Sequence, residues 1–330
     1  MNDQAIRDQS NAALKQWGEQ WTTHCNIHAK DKTVKNLLTD LEHIGIGKAA
    51  LLVANGYSLE ENMKTIKEYQ NNIDIICCDK TLGHLINNGV IPTFCVVCDA
   101  NVDYDLYLKP YQDKLQDTIL LINVCANPEW SQNGNWKNKY FFVNRDIIDS
   151  HKTFSKISGC NNFIPAGTNV SNAMMIMLTQ CDNEGRKNFF GYDKLILIGY
   201  DYSWRHEGSY YAYNKDGDGK ADYMKHLYCM THDHDWAYTS GNLYFSCQWL
   251  EKYISTFRLP VVNGTKKTIL GQTKFGDLKE QMQYNFKQDD STRVKTLCEK
   301  LREVYKLKAD LEKELFKIEK EHSHAVMLSA

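Results

Sequence analysis

The sequence predicts a doubly wound α/β domain with a mostly parallel sheet, because short apolar runs alternate with helical segments. The runs are uniformly apolar, which is typical of strands buried on both faces of such a sheet. They lie at 49–54, 73–78, 93–98, 118–124, 140–143, 194–198 and 259–262. The chain has 330 residues, 42% of them hydrophobic, and can therefore bury one large core.

The regions around these runs define the predicted domain boundaries. Residues 1–45 show helical spacing of apolar residues, and we expect two amphipathic helices that form a cap or an oligomer contact. Residues 46–275 hold the α/β domain. Within it, residues 200–240 are rich in Tyr, His, Asp and Gly, so we expect a lid over the ligand edge of the sheet.

The remaining segment, 276–330, is predicted to be a helical tail with a heptad seam. Its apolar residues recur by threes and fours, and Lys308 takes the one vacant core position. The seam consists of Val294, Leu297, Leu301, Val304, Leu311, Leu315 and Ile318. Two arrangements satisfy such a seam: a coiled coil with a second copy of the chain through 294–318, or packing against the chain's own N-terminal helices.

Composition narrows the class of protein. Lys and Arg total 39 against 41 Asp and Glu, so the net charge of -2 does not indicate a polyanionic partner such as DNA. No apolar run approaches the length of a membrane span, and the N-terminus is polar, which predicts a cytoplasmic protein. The 11 cysteines lie mostly in strand-like runs, as reduced, buried thiols do. Cys95 and Cys98 form a CxxC, but their sulfurs should face opposite sides of the sheet, which disfavours a metal site.

Polar residues follow several of the apolar runs, and this is the first sign of a binding site. In a parallel sheet, ligands bind at the carboxyl ends of the strands. The polar exits are Asn55 and Gly56, Asp79, Asp99, Asn123 and Asp201. We therefore expect this edge of the sheet to hold the ligand.

Two turns at helix starts favour a nucleotide as that ligand. Gly56 permits a tight turn and Ser58 can cap the next helix, whose free N–H groups suit a phosphate. The turn at 167–169 opens a second helix in the same way. An ordinary strand-to-helix turn is the alternative in both places, since no complete phosphate-binding motif is present. The predicted nucleotide site comprises Asn55, Gly56, Ser58, Asp79, Asp99, Gly167, Thr168, Asn169, Asp201 and Tyr202.

The predicted lid supplies candidates for chemistry. His232 and His234 alternate with aspartates, and histidine is the usual general base near neutral pH. A solvated loop is the alternative. Part of the lid also matches a calcium loop, with Asp216, Asp218 and Asp222 as candidate metal ligands. Lys stands at its last position, 225, where Glu is the usual ligand, so a Gly/Asp turn competes with Ca²⁺ binding there.

Several motifs occur in an order that resembles the motility-associated factor (Maf) family, whose shared domain is also called hydroxymethylpterin diphosphokinase-like. They are ANGYSL, CCDK, FCVVCDAN, AGTNVSNAMMIM, LILIGYDY and VVNGTKKTILG, spread over residues 45–275. The resemblance implies a Rossmann-like, nucleotide-binding catalytic domain.

The same stretch is similar to bacterial sialyltransferases that use CMP-sugars and share this fold. Their Gly-Asn-Gly-Pro-Ser motif corresponds to residues 54–58, with Tyr57 in place of proline. Two of their nucleotide-contacting asparagines fall on Asp79 and Asp99. Their phosphate-binding tyrosine corresponds to Tyr211, and their catalytic histidine precedes the last helix, where His234 and His232 are the nearest candidates.

These resemblances imply a glycosyltransferase with a CMP- or UDP-linked donor, in which His234 or His232 is the base and Tyr211 steadies the leaving phosphate. The acceptor stays open among a protein, a glycan and a small molecule, with DNA disfavoured by the charge balance. One alternative is a Mg²⁺-dependent pyrophosphokinase that moves diphosphate from ATP to a small alcohol such as hydroxymethylpterin. Its metal ligands would be Asp79, Asp99 and Asp201. The other alternative is a non-catalytic oligomeric scaffold.

Overall fold

The computed structural model provides the element boundaries. It describes residues 3–36, 41, 43–144, 163–164, 169–179, 190–204, 212, 226–283, 303–304, 307–308, 310–311, 314–315 and 318. The helices are α1 (Asp3–His28), α2 (Ser58–Tyr69), α3 (Asp79–Asn87), α4 (Tyr104–Tyr107), α5 (Glu129–Asn133), α6 (Val170–Thr179), α7 (Gly241–Phe257) and α8 (Leu278–Met282). The strands are β1 (Lys35–Asn36), β2 (Ala49–Val53), β3 (Asp74–Cys78), β4 (Phe94–Val97), β5 (Ile119–Asn123), β6 (Asn138–Asn144), β7 (Phe163–Ile164), β8 (Lys194–Ile198), β9 (His226–Met230), β10 (Trp236–Ser240) and β11 (Val261–Asn263).

The main sheet runs in the order β1-β6-β5-β4-β3-β2-β8-β11, with β7 paired to the end of β6. Its described strand pairs are parallel. The chain adds β3 to β6 on one side of β2 and then crosses to place β8 on the other side. The strand order therefore reverses between β2 and β8, and such a switch point opens a crevice at the carboxyl ends of the strands.

Helices cover both faces of the sheet, which explains why the central strands are apolar throughout. In β2, Leu51 and Val53 face a core that includes buried residues of α1, α2, α3 and α8. Ala50 and Leu52 face a second core that includes α6 and α7. The predicted doubly wound, mostly parallel fold is confirmed. Cys95 packs in the first core, and Cys98 packs against the second.

The N-terminal region differs from the prediction after its first helix. The first predicted helix is present as α1, but the second is wrong at Lys35–Asn36, which form strand β1. This strand pairs with Tyr140 and Phe141 at the edge of the sheet. An edge strand has backbone groups that need partners, and β1 pairs with this short part of the edge of β6. Leu41 is buried in the second core.

The predicted lid contains regular structure that the sequence pattern did not indicate. Strands β9 and β10 form an antiparallel ribbon outside the main sheet. Ala212 is buried, and its N–H donates to the carbonyl of Asn55 at 3.0 Å. This part of the lid segment therefore lies against the exit of β2.

The described residues of the tail between 303 and 318 are helical and include exposed apolar side chains. Val304, Leu311, Leu315 and Ile318 of the predicted seam are between 57% and 60% exposed. These seam positions are therefore not buried against the chain's own N-terminal helix. Within the part of the chain that the structure describes, no helix has the length and apolar character to cross a membrane.

Candidate active site

A cavity of about 430 Å³ opens at the switch point, at the carboxyl ends of β2, β3, β4 and β8. This is the position that the strand order predicts for a ligand. The strand exits that line it are Ala54, Asn55, Gly56, Cys78, Asp79, Lys80, Asp99, Gly199, Tyr200, Tyr202 and Ser203. Its other walls are the starts of α6 and α7, namely Asn169, Val170, Ser171, Ser240, Asn242 and Leu243.

Two glycines allow the exits of β2 and β8 to touch. The Gly56 N–H donates to the Gly199 carbonyl at 2.9 Å. A Cβ at Gly199 would lie 2.0 Å from the Ala54 carbonyl oxygen, and its φ of +72 is one that L residues rarely adopt. A Cβ at Gly56 would lie 2.4 Å from an Asp201 carboxylate oxygen. The floor of the cavity therefore requires glycine at both positions.

Below this junction, Ser58 and Asp201 bind each other. Asp201 accepts hydrogen bonds from the Ser58 N–H at 2.8 Å and from the Ser58 hydroxyl at 2.5 Å. The hydroxyl in turn accepts from the Gly199 N–H at 3.1 Å, and both side chains are fully buried. The start of α2 thus holds a carboxylate where the sequence suggested a phosphate. Ser58 also does not cap this helix as predicted, since it is the first helical residue and follows Tyr57 at the cap.

Asn55 and Asp79, in contrast, each have a buried side-chain oxygen without a hydrogen-bond partner among the described residues. Asp79 is only 3% exposed, and one of its oxygens accepts from the Lys80 N–H at 2.7 Å. Its other oxygen, Oδ2, has no hydrogen-bond partner among the described residues, and neither has Oδ1 of Asn55. Leaving a buried acceptor unpaired costs about 1–3 kcal/mol. Because both residues line the cavity, a ligand with hydroxyl or amino donors would satisfy them.

The Asp79 carboxyl group titrates near neutral pH. The pKa of Asp79 is raised to about 7, chiefly by burial; the Lys80 N–H opposes the rise, and the nearby Asp99 carboxylate adds to it. Both the ionised and the neutral carboxyl are therefore populated near neutral pH. Perturbed carboxyl groups in a cavity are typical of functional sites.

The opposite side of the cavity favours an anion. Helices α6 and α7 begin there, and the first N–H groups of a helix have no partner within it. Asn169 caps α6 by accepting from the Asn172 N–H at 2.8 Å, and Ser240 caps α7 by accepting from the Leu243 N–H at 3.3 Å. Lys80 provides the only cationic side chain among the described residues of the lining. Positive helix ends and one lysine can hold a group of low negative charge.

Tyr200 and Tyr202 connect the two sides. Their hydroxyls donate to the Ser171 carbonyl at 2.8 Å and to Oδ1 of Asn172 at 2.5 Å. Both rings are buried, and burial raises the pKa of both phenols. These residues fix the distance between the exit of β8 and the start of α6.

The predicted base candidates do not line the cavity. His232 and His234 lie in the turn between β9 and β10, and β10 spans about 13 Å from that turn to Ser240. The backbone N–H of His232 donates to the Thr268 carbonyl at 2.8 Å, and the centroid of its imidazole ring lies 6.1 Å from that of the Phe275 ring. His234 is exposed.

The other predicted residues differ in where they lie relative to the cavity. Asn55, Gly56, Asp79, Asp99, Asn169 and Tyr202 line the cavity, whereas Ser58 and Asp201 lie beneath it. Gly167, Thr168, Tyr211, Asp216, Asp218 and Asp222 fall outside the described residues. Asn123 lines no part of the cavity and accepts from the Cys125 N–H at 2.8 Å. Among the described side chains, no group of three or more His, Cys, Asp and Glu is placed to hold a metal ion.

Sequence reasoning missed Lys80 and the start of α7. Lys80 follows Asp79 directly, so the exit of β3 could have been extended by one residue. Ser240 precedes Gly241 and Asn242 before a helical run, which is a recognisable helix-capping signal. That signal was hidden within a segment interpreted as a lid.

The fold and the cavity define a doubly wound α/β protein with an open cavity at its switch point. The chain belongs to the MptE-like family, described as 6-hydroxymethylpterin diphosphokinase MptE-like, whose model matches residues 24–207. The predicted relationship to this family is confirmed. A comparison with curated proteins gave no match.

A solved structure with the same fold is that of the Maf glycosyltransferase from Magnetospirillum magneticum AMB-1. The TM-score is 0.60 at 16% sequence identity. The match covers 86% of this chain and 41% of the other protein, so this chain spans less than half the length of that enzyme. At this identity the likeness shows a shared fold.

Proposed function

We propose that the protein is a glycosyltransferase that binds a nucleotide-activated sugar in the switch-point cavity. The observation that carries the proposal is the pairing of unsatisfied acceptors on Asn55 and Asp79 with helix starts in one cavity. A nucleotide matches both sides, since ribose hydroxyls or base amino groups donate to the acceptors and a phosphate accepts from the helix ends. The fold shared with the Maf glycosyltransferase supports the same function.

The charge of the lining favours a sugar nucleotide over ATP. The described lining holds one cationic side chain, Lys80, and the two carboxyl groups of Asp79 and Asp99. A triphosphate would be repelled by these carboxylates unless a bound cation offset its charge. A monophosphate or diphosphate linked to a sugar carries less charge. Its phosphate can rest on the helix starts without a metal.

A pyrophosphokinase is the second candidate, because the description of the family names a diphosphokinase. Mg²⁺ would be held by carboxylate oxygens. Asp79 and Asp99 share the cavity, but both oxygens of Asp201 already accept hydrogen bonds from Ser58. The set of three carboxylates that the sequence suggested is thereby reduced to two.

In the proposed transfer, an acceptor hydroxyl oxygen bonds to the anomeric carbon of the sugar. The bond from that carbon to the phosphate oxygen breaks, and the nucleotide leaves with the electron pair. A base takes the hydroxyl proton. His234 or His232 as that base and Tyr211 as the residue that steadies the phosphate stay predictions from the resemblance. Substituting both histidines by alanine and following sugar transfer tests the base, since loss of transfer with intact donor binding is the expected result.

The proposal can be tested by thermal shift with CMP, UDP, GDP, ADP and ATP, each with and without Mg²⁺. A ligand that binds only the folded state raises its melting temperature. We expect CMP or UDP to stabilise the protein without a metal. Stabilisation by ATP with Mg²⁺ alone would establish the pyrophosphokinase instead, and no shift with any nucleotide would refute the nucleotide site.

A further inference from the structure

The outer face of the β9–β10 ribbon carries a row of aromatic side chains. Tyr228 pairs directly with Tyr238, and Trp236 lies two residues before Tyr238, so the three share one face. The rings of Tyr228 and Trp236 stack at 4.9 Å with an interplanar angle of 11°, and those of Tyr228 and Tyr238 are 5.0 Å apart. Tyr228 is 52% exposed and Trp236 is 47% exposed. We call these three residues the aromatic platform.

The inner face of the ribbon fixes the platform to the wall of the cavity. Ala237 and Thr239 are buried, and the Thr239 hydroxyl donates to the Tyr202 carbonyl at 2.6 Å. The backbone N–H of Trp204 donates to the Tyr238 carbonyl at 2.9 Å. Because Tyr202 lines the cavity, the orientation of the platform is set by the same loop that shapes the proposed donor site.

The platform leads to the mouth of the cavity. Ser240 follows Tyr238 by two residues on the same face of β10 and lines the cavity. Two residues of a strand span about 7 Å. A molecule that lies on the platform can therefore extend one end to the donor.

The chemistry of this surface identifies the class of molecule. Tyr228 and Trp236 each stack one ring face on the other, and about half of each residue stays exposed. The exposed part of an aromatic ring attracts the C–H groups of a sugar ring, while tyrosine hydroxyls bind sugar hydroxyls. Residues 226–240 contain no Lys or Arg, and Asp233 and Asp235 lie exposed in the turn beyond Trp236. This charge disfavours nucleic acid, whose binding rests on cationic side chains.

We propose that the aromatic platform is the acceptor site and that the acceptor is a neutral saccharide. This inference rests on the proposed glycosyltransferase function, because it identifies the molecule that receives the sugar. Saccharide binding to the platform can be measured apart from nucleotide binding, since the three platform residues do not line the cavity.

The test is binding of the full chain to an array of neutral oligosaccharides of the gluco, galacto and N-acetylhexosamine types, with oligo(dT) as the nucleic-acid probe. We expect the wild type to bind neutral saccharides, and Trp236→Ala and Tyr228→Ala each to weaken this binding about tenfold or more. Trp236→Phe should retain most of it because the ring persists. The matched control is Trp17→Ala, which removes an exposed tryptophan, 36% accessible, from α1.

The nucleotide thermal shift, measured on the same samples, separates the two proposals. An unchanged shift in Trp236→Ala shows that the variant is folded and that the donor site is intact. Absence of saccharide binding by the wild type, equal binding by Trp236→Ala and wild type, or binding of oligo(dT) alone would each overturn the acceptor proposal. Absence of a nucleotide shift alongside platform-dependent saccharide binding would refute the proposed glycosyltransferase and leave a saccharide-binding surface.

Discussion

Two pairs of polar residues lie at the same edge of the sheet, and their hydrogen bonding is opposite. Ser58 and Asp201 bind each other through both carboxylate oxygens and join the exits of β2 and β8. Asn55 and Asp79 each keep a buried oxygen with no partner among the described residues. The first pair stabilises the switch point, and the second is open to a ligand.

Within one motif, this difference distinguishes a residue that stabilises the fold from a residue that is open to a ligand. Asn55 and Ser58 lie three residues apart, and both occur in the stretch that resembles a nucleotide-binding turn. The Ser58 hydroxyl is hydrogen-bonded to Asp201, whereas Oδ1 of Asn55 has no hydrogen-bond partner among the described residues. Residue type and position alone therefore do not identify a ligand contact.

The largest effect should come from breaking the junction that supports the first pair. Gly199→Ala places a Cβ 2.0 Å from the Ala54 carbonyl oxygen and requires an alanine at positive φ. We expect a loss of at least ~4 kcal/mol in the free energy of unfolding, measured by urea denaturation. Gly271→Ala is the control, since nothing lies within 4 Å of its Cβ, and it should stay within about 1 kcal/mol of wild type. A Gly199→Ala protein as stable as the control would show that the close approach of the two exits is not required.

A substitution in the second pair, Asp79→Asn, should instead increase the free energy of unfolding at high pH. The pKa of Asp79 is about 7 in the folded protein against 3.8 as the reference value, so the unfolded chain releases this proton first. The contribution of Asp79 to the free energy of unfolding should therefore fall as pH rises from about 4 to about 7, by up to roughly 4 kcal/mol. Asp79→Asn removes this titration, so it should be more stable than wild type at pH 8 and lose that advantage towards pH 4.

Urea denaturation at several pH values measures this difference. Asp113→Asn, at an exposed surface aspartate, is the control and should show no such pH-dependent gain. A gain for Asp79→Asn that is equal at pH 4 and pH 8 would contradict the assignment of a buried, neutral carboxyl.

The fold could be predicted in large part because its signal is local. The seven apolar runs correspond to β2, β3, β4, β5, β6, β8 and β11, since strands buried on both faces need apolar side chains throughout. The short edge strand β1 has no such signal, because the pairing of Lys35–Asn36 depends on the distant strand β6. The ribbon was missed because only one of its faces is buried and its outer face is rich in polar and aromatic residues.

The candidate site could be predicted only by position. The strand order brings Asn55, Asp79 and Asp99 to one cavity, as the rule for parallel sheets predicts. The sequence could not show that Asp201 is bound by Ser58, since these residues lie 143 positions apart. Nor could it show that His232 and His234 belong to the turn between β9 and β10, because the ribbon itself was not predicted.

A smaller effect is expected from weakening the first pair without breaking the junction. Ser58→Ala removes the hydroxyl that donates to Asp201 but keeps the N–H donor at 2.8 Å. Stability should fall by about 2 kcal/mol, as for a buried acceptor that loses one donor. Thermal or urea unfolding measures the loss. A change below about 0.5 kcal/mol would show that the pair contributes little to the switch point.

The smallest effect on the site should come from the tail, which belongs to neither pair. We propose that its exposed seam pairs with a second copy of the chain, so Leu311→Asp should convert an oligomer to a monomer in light-scattering measurements after size-exclusion chromatography. Nucleotide binding should not change. Glu314→Ala, at an exposed helical position outside the seam, is the control. A wild-type protein that is already monomeric would refute the coiled coil.

The most direct test of the account compares Asp79→Ala with Ser58→Ala in calorimetric titrations with the nucleotide that stabilises the wild type. Asp79→Ala removes an acceptor that faces the ligand, so its dissociation constant should rise about tenfold or more. Ser58→Ala should bind within about twofold of wild type despite its lower stability, because its side chain faces Asp201. The reverse order, with Ser58→Ala impaired and Asp79→Ala unchanged, would contradict the division of this edge into a structural pair and a ligand-binding pair.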